Sequence, residues 1–367
     1  MPRGADRRPR MQDGVASVSV NTMLMSEPAI ATVGPGSWPA YRCPCCQGPL
    51  GLAIPDTAGT CEVCGWSGTI EDGVSVLLAE PAQAEHDELD HHHGHDHGHK
   101  AAQAAHFDRP DEEEFEIDRP HRTPRLYRFL LGQKFRRAVG PIRPQLAGAS
   151  ALSVCGGSGM DAEFLARAGA LVTSSDLSLG AAKRARRRSE RYGVEIRSIV
   201  ADVEHLPYAS QSVDLVAVHD GLHHLDDPYA GLTEMARVAR RGVFVTEPAQ
   251  ASVTRLAVRL GLALETEDAG NRVARLDPAE VAAFLVAQGF VTLRAERYAM
   301  YYPHRPGTVF RFLSRSYLYP VVRLGWRAVN ATIGRFGNKM VVVCERDAPS
   351  VTGRHTATPS GAVPSTG

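Results

Sequence analysis

From Ala151 onward, short apolar runs alternate with longer amphipathic stretches. ALSVCGG (151–157), ALVTSSD (170–176), EIRSIVAD (195–202), VDLVAVHD (213–220) and GVFVTEP (242–248) are short and rich in Val, Ile, Leu or Ala. They predict five strands buried on both faces. Helical patterns at 160–169, 178–192 and 227–240 separate most of them, and this rhythm predicts a parallel sheet covered on two sides. DPAEVAAFLVAQ (277–288) reads as a further helix, with Asp277 as N-cap, Pro278 at the first position and Gly289 as its end. VTLRAERYAM (291–300) and KMVVVCERD (339–347) add two strands on either side of a 301–339 insertion, so seven are expected. Upstream, 125–139 reads as an amphipathic helix with Leu126, Phe129, Leu130 and Phe135 on its apolar face.

The remaining segments carry no such periodicity. Residues 1–37 and 348–367, rich in Gly, Pro, Ser, Thr and Ala, are expected to be disordered tails. Residues 38–80 form a small cysteine module, and 81–120 read as a His-rich and acidic linker (HHHGHDHGH at 91–99, DEEE at 111–114) of low complexity. The main α/β domain is expected over 121–347, with 301–339 as a substrate lid. With 367 residues, 43% hydrophobic and 22% charged, the chain fits an ordinary globular protein of about two domains. Lys plus Arg and Asp plus Glu each number 41, which excludes a uniformly basic protein. No run of about 18 apolar residues predicts a spanning helix.

Five of the seven cysteines fall within 43–64, which fits metal binding in a reducing, cytoplasmic setting rather than a disulfide framework. Cys43 and Cys46 form one C-x-x-C pair, and Cys61 and Cys64 another fourteen residues on. Two such knuckles predict a tetrahedral thiolate site for structural zinc, with Cys45 left over. Four protein ligands leave no open position, so this zinc is expected to fold the module rather than to catalyse. The surrounding sequence, YRCPCCQGPL and CEVCGWSGTIEDGVSVLL, resembles the short zinc ribbons of methyltransferase partner proteins and of some ribosomal RNA guanine methyltransferases.

Ser153-Val154-Cys155-Gly156-Gly157-Ser158-Gly159 follows the first main strand and opens a helix, so glycines let the backbone approach a ligand with its amides forward. Asp176, at the tip of the next strand, suits a ribose diol; Asp202, ending the third, suits an adenine amino group. With ADVEHLPYASQSVDLVAVHDGLHHLDDPYAGLTEMARV, the segment 145–248 resembles the class I S-adenosylmethionine-dependent methyltransferases, particularly the quinone-biosynthesis branch. The resemblance implies a Rossmann-like, doubly wound, mostly parallel sheet and S-adenosyl-L-methionine (SAM) as cofactor. It implies that Cys155, Gly156, Gly157 and Gly159 line the methionine side, Asp176 and Leu177 the ribose, Asp202 and Val203 the adenine, with His219 beside the methyl group. The sequence departs from the family pattern at Ser153, where an acid is usual, and at Cys155, which replaces the first glycine and reads as a small buried filler.

His219, His223 and His224 follow the fourth strand and are the candidate bases, with loop-bracing as the alternative role. Glu247 is a further residue facing the site. The helix after Asp176 carries Lys183, Arg184, Arg186, Arg187, Arg188 and Arg191, readable as a solvated face or as nucleic-acid contact. The insertion holds seven cations and no acid, interleaved with aromatics. It suits a lid over a small-molecule or lipid-like acceptor bearing an anionic group, or peripheral contact with an anionic membrane. The expected function is methyl transfer to such an acceptor. The alternatives are an RNA base methyltransferase using the ribbon for RNA contact, and a non-catalytic scaffold that binds cofactor or a partner. The ribbon itself suits a partner protein or self-association.

Overall fold

Runs of Val, Ile, Leu and Ala with no room for polar alternation belong inside a sheet covered on both faces, and the fold follows from stacking them. A computed structural model of the chain describes residues 38–51, 59–79, 96–108, 113–250 and 275–347. The two expected tails and the linker from 81 to 95 lie outside the described residues. In chain order the strands are β1 (Thr69–Glu71), β2 (Val74–Val76), β3 (Ser150–Val154), β4 (Leu171–Asp176), β5 (Ile196–Val200), β6 (Val213–His219), β7 (Ala239–Pro248), β8 (Phe290–Tyr298) and β9 (Lys339–Arg346). The helices are α1 (Asp96–Phe107), α2 (Glu113–Asp118), α3 (Arg125–Val139), α4 (Met160–Arg167), α5 (Leu179–Tyr192), α6 (Pro228–Val238), α7 (Pro278–Ala287), α8 (Thr308–Leu313) and α9 (Tyr319–Thr332).

One sheet joins all the strands in the order β1-β2-β5-β4-β3-β6-β7-β9-β8. Strands β2 to β7 run parallel, while β1, and β9 between β7 and β8, pair antiparallel. The α/β, mostly parallel architecture is the expected one, but the sheet has nine strands rather than seven. Seven come from the main domain. The other two are the hairpin of the cysteine module, whose β2 pairs with β5, Ser75 opposite Ile199 and Val76 opposite Val200. Tyr41, Cys43, Cys61, Trp66 and Leu77 of the module share one apolar core with Leu152, Val154, Ile199 and Leu206.

The strand order reverses between β3 and β6, so the loops leaving their carboxyl ends diverge and leave a crevice there. Two elements upstream close over this end. The Ala-rich second half of α1 favours helix, and Lys100 within it pairs with Asp202 at 2.9 Å and with Glu204. Part of the stretch expected to be a linker is therefore packed against the main domain. The acidic α2 lies on the basic α5: Arg191 bonds Glu114 at 2.9 Å and Asp118 at 2.8 Å, and Arg187 pairs with Glu113. Arg188 is fully buried, giving Nε to the Ser158 carbonyl at 2.7 Å, Nη1 to Glu163 at 2.9 Å and Nη2 to the Glu116 carbonyl. The helix that read as a solvated or nucleic-acid-binding face spends these charges inside its own chain.

Burial of Glu163 opposes its ionisation, but the hydrogen bond from His121 and the charges of Arg188 and His121 outweigh it and hold the carboxyl at about 2. Its contribution to stability is complete above its ordinary value of 4.5 and is lost as pH falls toward about 2. Glu163→Gln leaves Arg188 buried without its counter-charge and is expected to cost about 3–5 kcal/mol at neutral pH. Urea unfolding at a series of pH values checks this: the gap from wild type narrows below pH 4.5, and a gap independent of pH contradicts the assignment.

Candidate functional site

The turn after β3 is shaped by three left-handed residues, Cys155, Gly157 and Gly159, with φ of 49°, 53° and 75°. A Cβ on Gly159 would stand 2.9 Å from that of Ala185, so the missing side chain is what lets the turn seat on α5. A Cβ on Gly157 would meet nothing within 4 Å: the backbone there faces open space. Gly156 presses on β4, where an added Cβ would meet the Ser174 hydroxyl at 2.3 Å. Cys155 packs against Gly221 of the opposite loop, and burial pushes its thiol well up, which keeps it protonated and fits a filler.

Asp176 ends β4 and ties the turn down. Its carboxylate accepts from the Gly157 amide at 2.8 Å and the Ser178 amide at 2.9 Å, while burial pushes the carboxyl up against their pull. Leu177, half-buried, follows it. Next along the sheet, Asp202 accepts from the Glu204 amide at 2.9 Å and from Lys100 at 2.9 Å, and Val203 is buried behind it. β4 and β5 are adjacent and parallel, with Asp176 opposite Val200, so the two acids stand side by side on one rim with the glycine turn.

The loop after β6 supplies the other wall. His219 Nδ1 pairs with Asp161 of α4, and its Nε2 lies 3.7 Å from Asp220. Asp220 receives Lys134 at 2.5 Å, Lys339 at 3.1 Å and the Tyr302 hydroxyl at 3.3 Å; burial opposes its charge, but the two lysines hold its carboxyl well below the usual range. His223 is buried, with Nδ1 2.7 Å from Glu247, whose other oxygen accepts the Gly221 and Leu222 amides at 2.8 Å each. That geometry ties His223 and Glu247 to the shape of the loop. His224 faces Phe107 of α1 edge-on, ring centres 5.3 Å apart. Among the three histidines it is His219 that lines, with Lys134, Ser153, Asp161 and Thr246, a small void of about 10 Å³ where β3, β6 and α3 meet, the size of about one water molecule.

Sequence reasoning did not single out Asp161, Lys134, Asp220, Tyr302 or Lys339 as site residues. Lys134 did leave a signal. It falls on the buried stripe of α3 with Tyr127, Leu130, Leu131 and Ala138, where an unpaired lysine is costly, and it is fully buried. Asp220 sits beside the suspected histidines, but its partners lie 86 and 119 residues away.

In the cysteine module the sulfurs of Cys43, Cys46, Cys61 and Cys64 all lie within 4.8 Å of one another, with Cys43 to Cys64 at 3.6 Å and Cys46 to Cys61 at 3.5 Å. Thiolates about 2.3 Å from a common tetrahedral ion stand roughly 3.8 Å apart, so this donor set fits a metal ion. Cys45 is outside the cluster and exposed. Next to this cluster the module grips the segment that carries Asp202. The Arg42 amide bonds the Pro207 carbonyl at 2.9 Å, Gln47 bonds the Leu206 carbonyl at 3.3 Å, Tyr41 meets Tyr208 edge-on, and the Leu77 amide bonds Val200 at 2.8 Å.

Residues 152–246 match the family described as Methyltransferase domain. The chain is 34% identical over 110 residues to a demethylmenaquinone methyltransferase of Renibacterium salmoninarum, covering 30% of this chain and 45% of that protein. It is 37% identical over 95 residues to one from Corynebacterium urealyticum, covering 26% and 39%. The chain thus spans less than half the length of these curated relatives. A solved structure similar to it is magnesium protoporphyrin IX methyltransferase of Synechocystis PCC 6803 with bound SAH, at 18% identity and a TM-score of 0.47, covering 68% of this chain and all of that one. The segment that matches the methyltransferase domain thus runs from the strand that bears the glycine turn to the strand that bears Glu247.

Proposed function

We propose that this protein transfers a methyl group from S-adenosylmethionine to a small, lipid-like acceptor of the quinone type. The observation that carries the reading is the family match over 152–246, a segment that contains both loops of the crevice and both rim acids. The identity of 34–37% to demethylmenaquinone methyltransferases supports the acceptor class. SAM supplies an electrophilic methyl group when bound. In this reading Gly157 faces its methionine portion, Asp176 beside Leu177 accepts from the ribose hydroxyls, and Asp202 with Val203 receives the adenine. A carboxylate has about four acceptor positions, so Asp202 serves both Lys100 and an amino group. Holding donor and acceptor in line supplies several kcal/mol of the barrier, up to about 7–11 in well-oriented systems.

The acceptor side is assigned to the crevice loop that carries His219. A ring hydroxyl must lose its proton before it or its ring carbon attacks a methyl group, and His219, oriented by Asp161, is the group in reach to take it. Lys134 and Lys339 both pair with Asp220, and Lys134 lines the same space as His219, where its charge favours the anion so formed. His224 lies farther out against Phe107, and His223 keeps its bracing role. The four clustered cysteines hold a structural zinc, and a reducing, cytoplasmic setting suits five such unbridged thiols. The RNA alternative loses support because the cations of α5 are paired within the chain, Arg187 and Arg191 with acids of α2, Arg188 with Glu163, Lys183 with Asp72 and Arg186 with Glu190.

Calorimetry with SAM and S-adenosylhomocysteine, followed by labelled-methyl transfer to a demethylated quinol in detergent, tests the reading. Asp176→Asn is expected to weaken SAM binding by roughly 10- to 100-fold, the range of charge-assisted hydrogen bonds. His219→Ala is expected to lower kcat by about 10²–10⁴ with SAM affinity kept. No binding of either nucleoside leaves a scaffold, and binding without transfer removes the acceptor assignment.

Zinc is expected at one ion per chain. Because the module grips 200–208, the Cys61→Ser/Cys64→Ser protein is expected to bind SAM about tenfold more weakly while its thermal transition remains cooperative. Metal analysis and calorimetry on the same preparation check this; unchanged SAM affinity after zinc loss would separate the module from the site.

A further inference from the structure

The 301–339 insertion presents two different faces. Its inner side is anchored: Phe310 and Tyr319 are buried, the Trp326 indole donates to the Ala299 carbonyl at 3.1 Å, and Asn330 bonds the backbone of Ala299 in both directions. Tyr302, at its start, reaches Asp220 and Lys134 on the acceptor side. The outer side is apolar and open. Tyr317 is 66% exposed, Val321 66%, Leu324 69% and Ile333 55%. The spacing 317, 321, 324, 328 places Tyr317, Val321, Leu324 and Ala328 on one side of α9 and the turn before it, and Val309 and Phe312 of α8 are exposed as well. Folded proteins rarely leave a contiguous apolar patch of this kind without a partner.

The charges at its border identify that partner. Arg311, Arg315, Arg327 and Arg335 are exposed around the stripe, and 301–339 contains no carboxylate to offset them. A groove of about 490 Å³, lined by Phe115, Arg305, Pro306 and Arg311 among others, opens beside α8. A second copy of the chain meeting this face would set arginines against arginines. RNA phosphates would have no use for a stripe of valine and leucine. A surface that is anionic outside and apolar beneath satisfies both features, and that is a bilayer of acidic phospholipid.

We propose that the outer face of α8 and α9 docks on an anionic phospholipid bilayer, with the apolar stripe in the acyl boundary and the arginines at the headgroups. Its purpose rests on the lipid-like acceptor proposed above, since Tyr302 links the docked insertion to the acceptor side. The docking itself requires neither donor nor acceptor. Among the described residues no helix is long and apolar enough to cross a membrane, so the contact is peripheral.

Flotation of the full chain with vesicles of phosphatidylcholine, with or without phosphatidylglycerol, tests it in the absence of SAM and quinol. The expected result is binding to the phosphatidylglycerol vesicles only, falling as salt is raised. Val321→Glu/Leu324→Glu is expected to reduce partitioning by about tenfold or more, and Arg327→Gln/Arg335→Gln by about tenfold. All four side chains are exposed and outside the crevice, so SAM affinity and the thermal transition should stay at wild-type values in both variants. Absence of binding, variants that bind like wild type, or sedimentation showing the patch closed in a dimer would each overturn the docking. Transfer to a detergent-dispersed quinol without vesicle binding sinks the docking alone, whereas vesicle binding without any transfer sinks the acceptor reading alone.

Discussion

A guanidinium with no exposed surface has to be met on every side, because removing it from water costs several kcal/mol that only complete pairing offsets. Arg188 is such a group, and its partners come from three places: Glu163 on α4, the Ser158 carbonyl in the glycine turn and the Glu116 carbonyl on α2. The turn therefore cannot shift without stranding a buried charge. Glu163 is itself shared with His121 and Arg167, at 2.7 Å each, so the same carboxylate draws in the segment before α3. From this node the positions of Gly157 and of Asp176, which hold each other by one hydrogen bond, follow.

The cysteine module extends the same logic to the other rim acid. A parallel strand pair is usually formed by a crossover within one domain, but here β2 adds to the edge of the main sheet from the module. The edge strand β5 thus gains a partner, and the loop leaving it is fixed by backbone bonds at Val200, Leu206 and Pro207. Asp202 lies inside that loop. A unit placed there acts on the rim through strand register, with its four clustered cysteines outside the rim itself.

How much of this was legible in the chain depended on the range of each interaction. The strands of the main sheet, the cap at Asp277 and the glycine turn are local and were readable from runs, spacing and residue type. Asp176 and Asp202 were readable because parallel strands deliver their tips to one edge. The pairing of β2 with β5 had no local signal, and so the strand count rose from seven to nine. Composition misled at α1: a His-rich, low-complexity run gives no apolar stripe, while Lys100 is held by Asp202 and Glu204, and Phe107 by His224 and by Arg184 at its carbonyl. At the acceptor side, Lys134 was visible as a charge on an apolar stripe. Lys339 and Tyr302 were not, since nothing near either residue in sequence says that Asp220 is its partner.

The net charge of zero hides how unevenly the charges are spent. Those of α5 are paired with acids of α2, α4, the cysteine module and α5 itself, so that helix has little field to offer a partner. Those of 301–339 have no acid within their own segment and surround exposed apolar side chains. Two arginine-rich stretches of similar composition therefore differ in kind, and the difference lies in where the carboxylates are. The acidic helix 113–118, read alone as part of a linker, decides it by pairing Glu113, Glu114 and Asp118 with α5. What is left over is a cationic surface with exposed apolar side chains, attached through Tyr302 to Asp220 and Lys134.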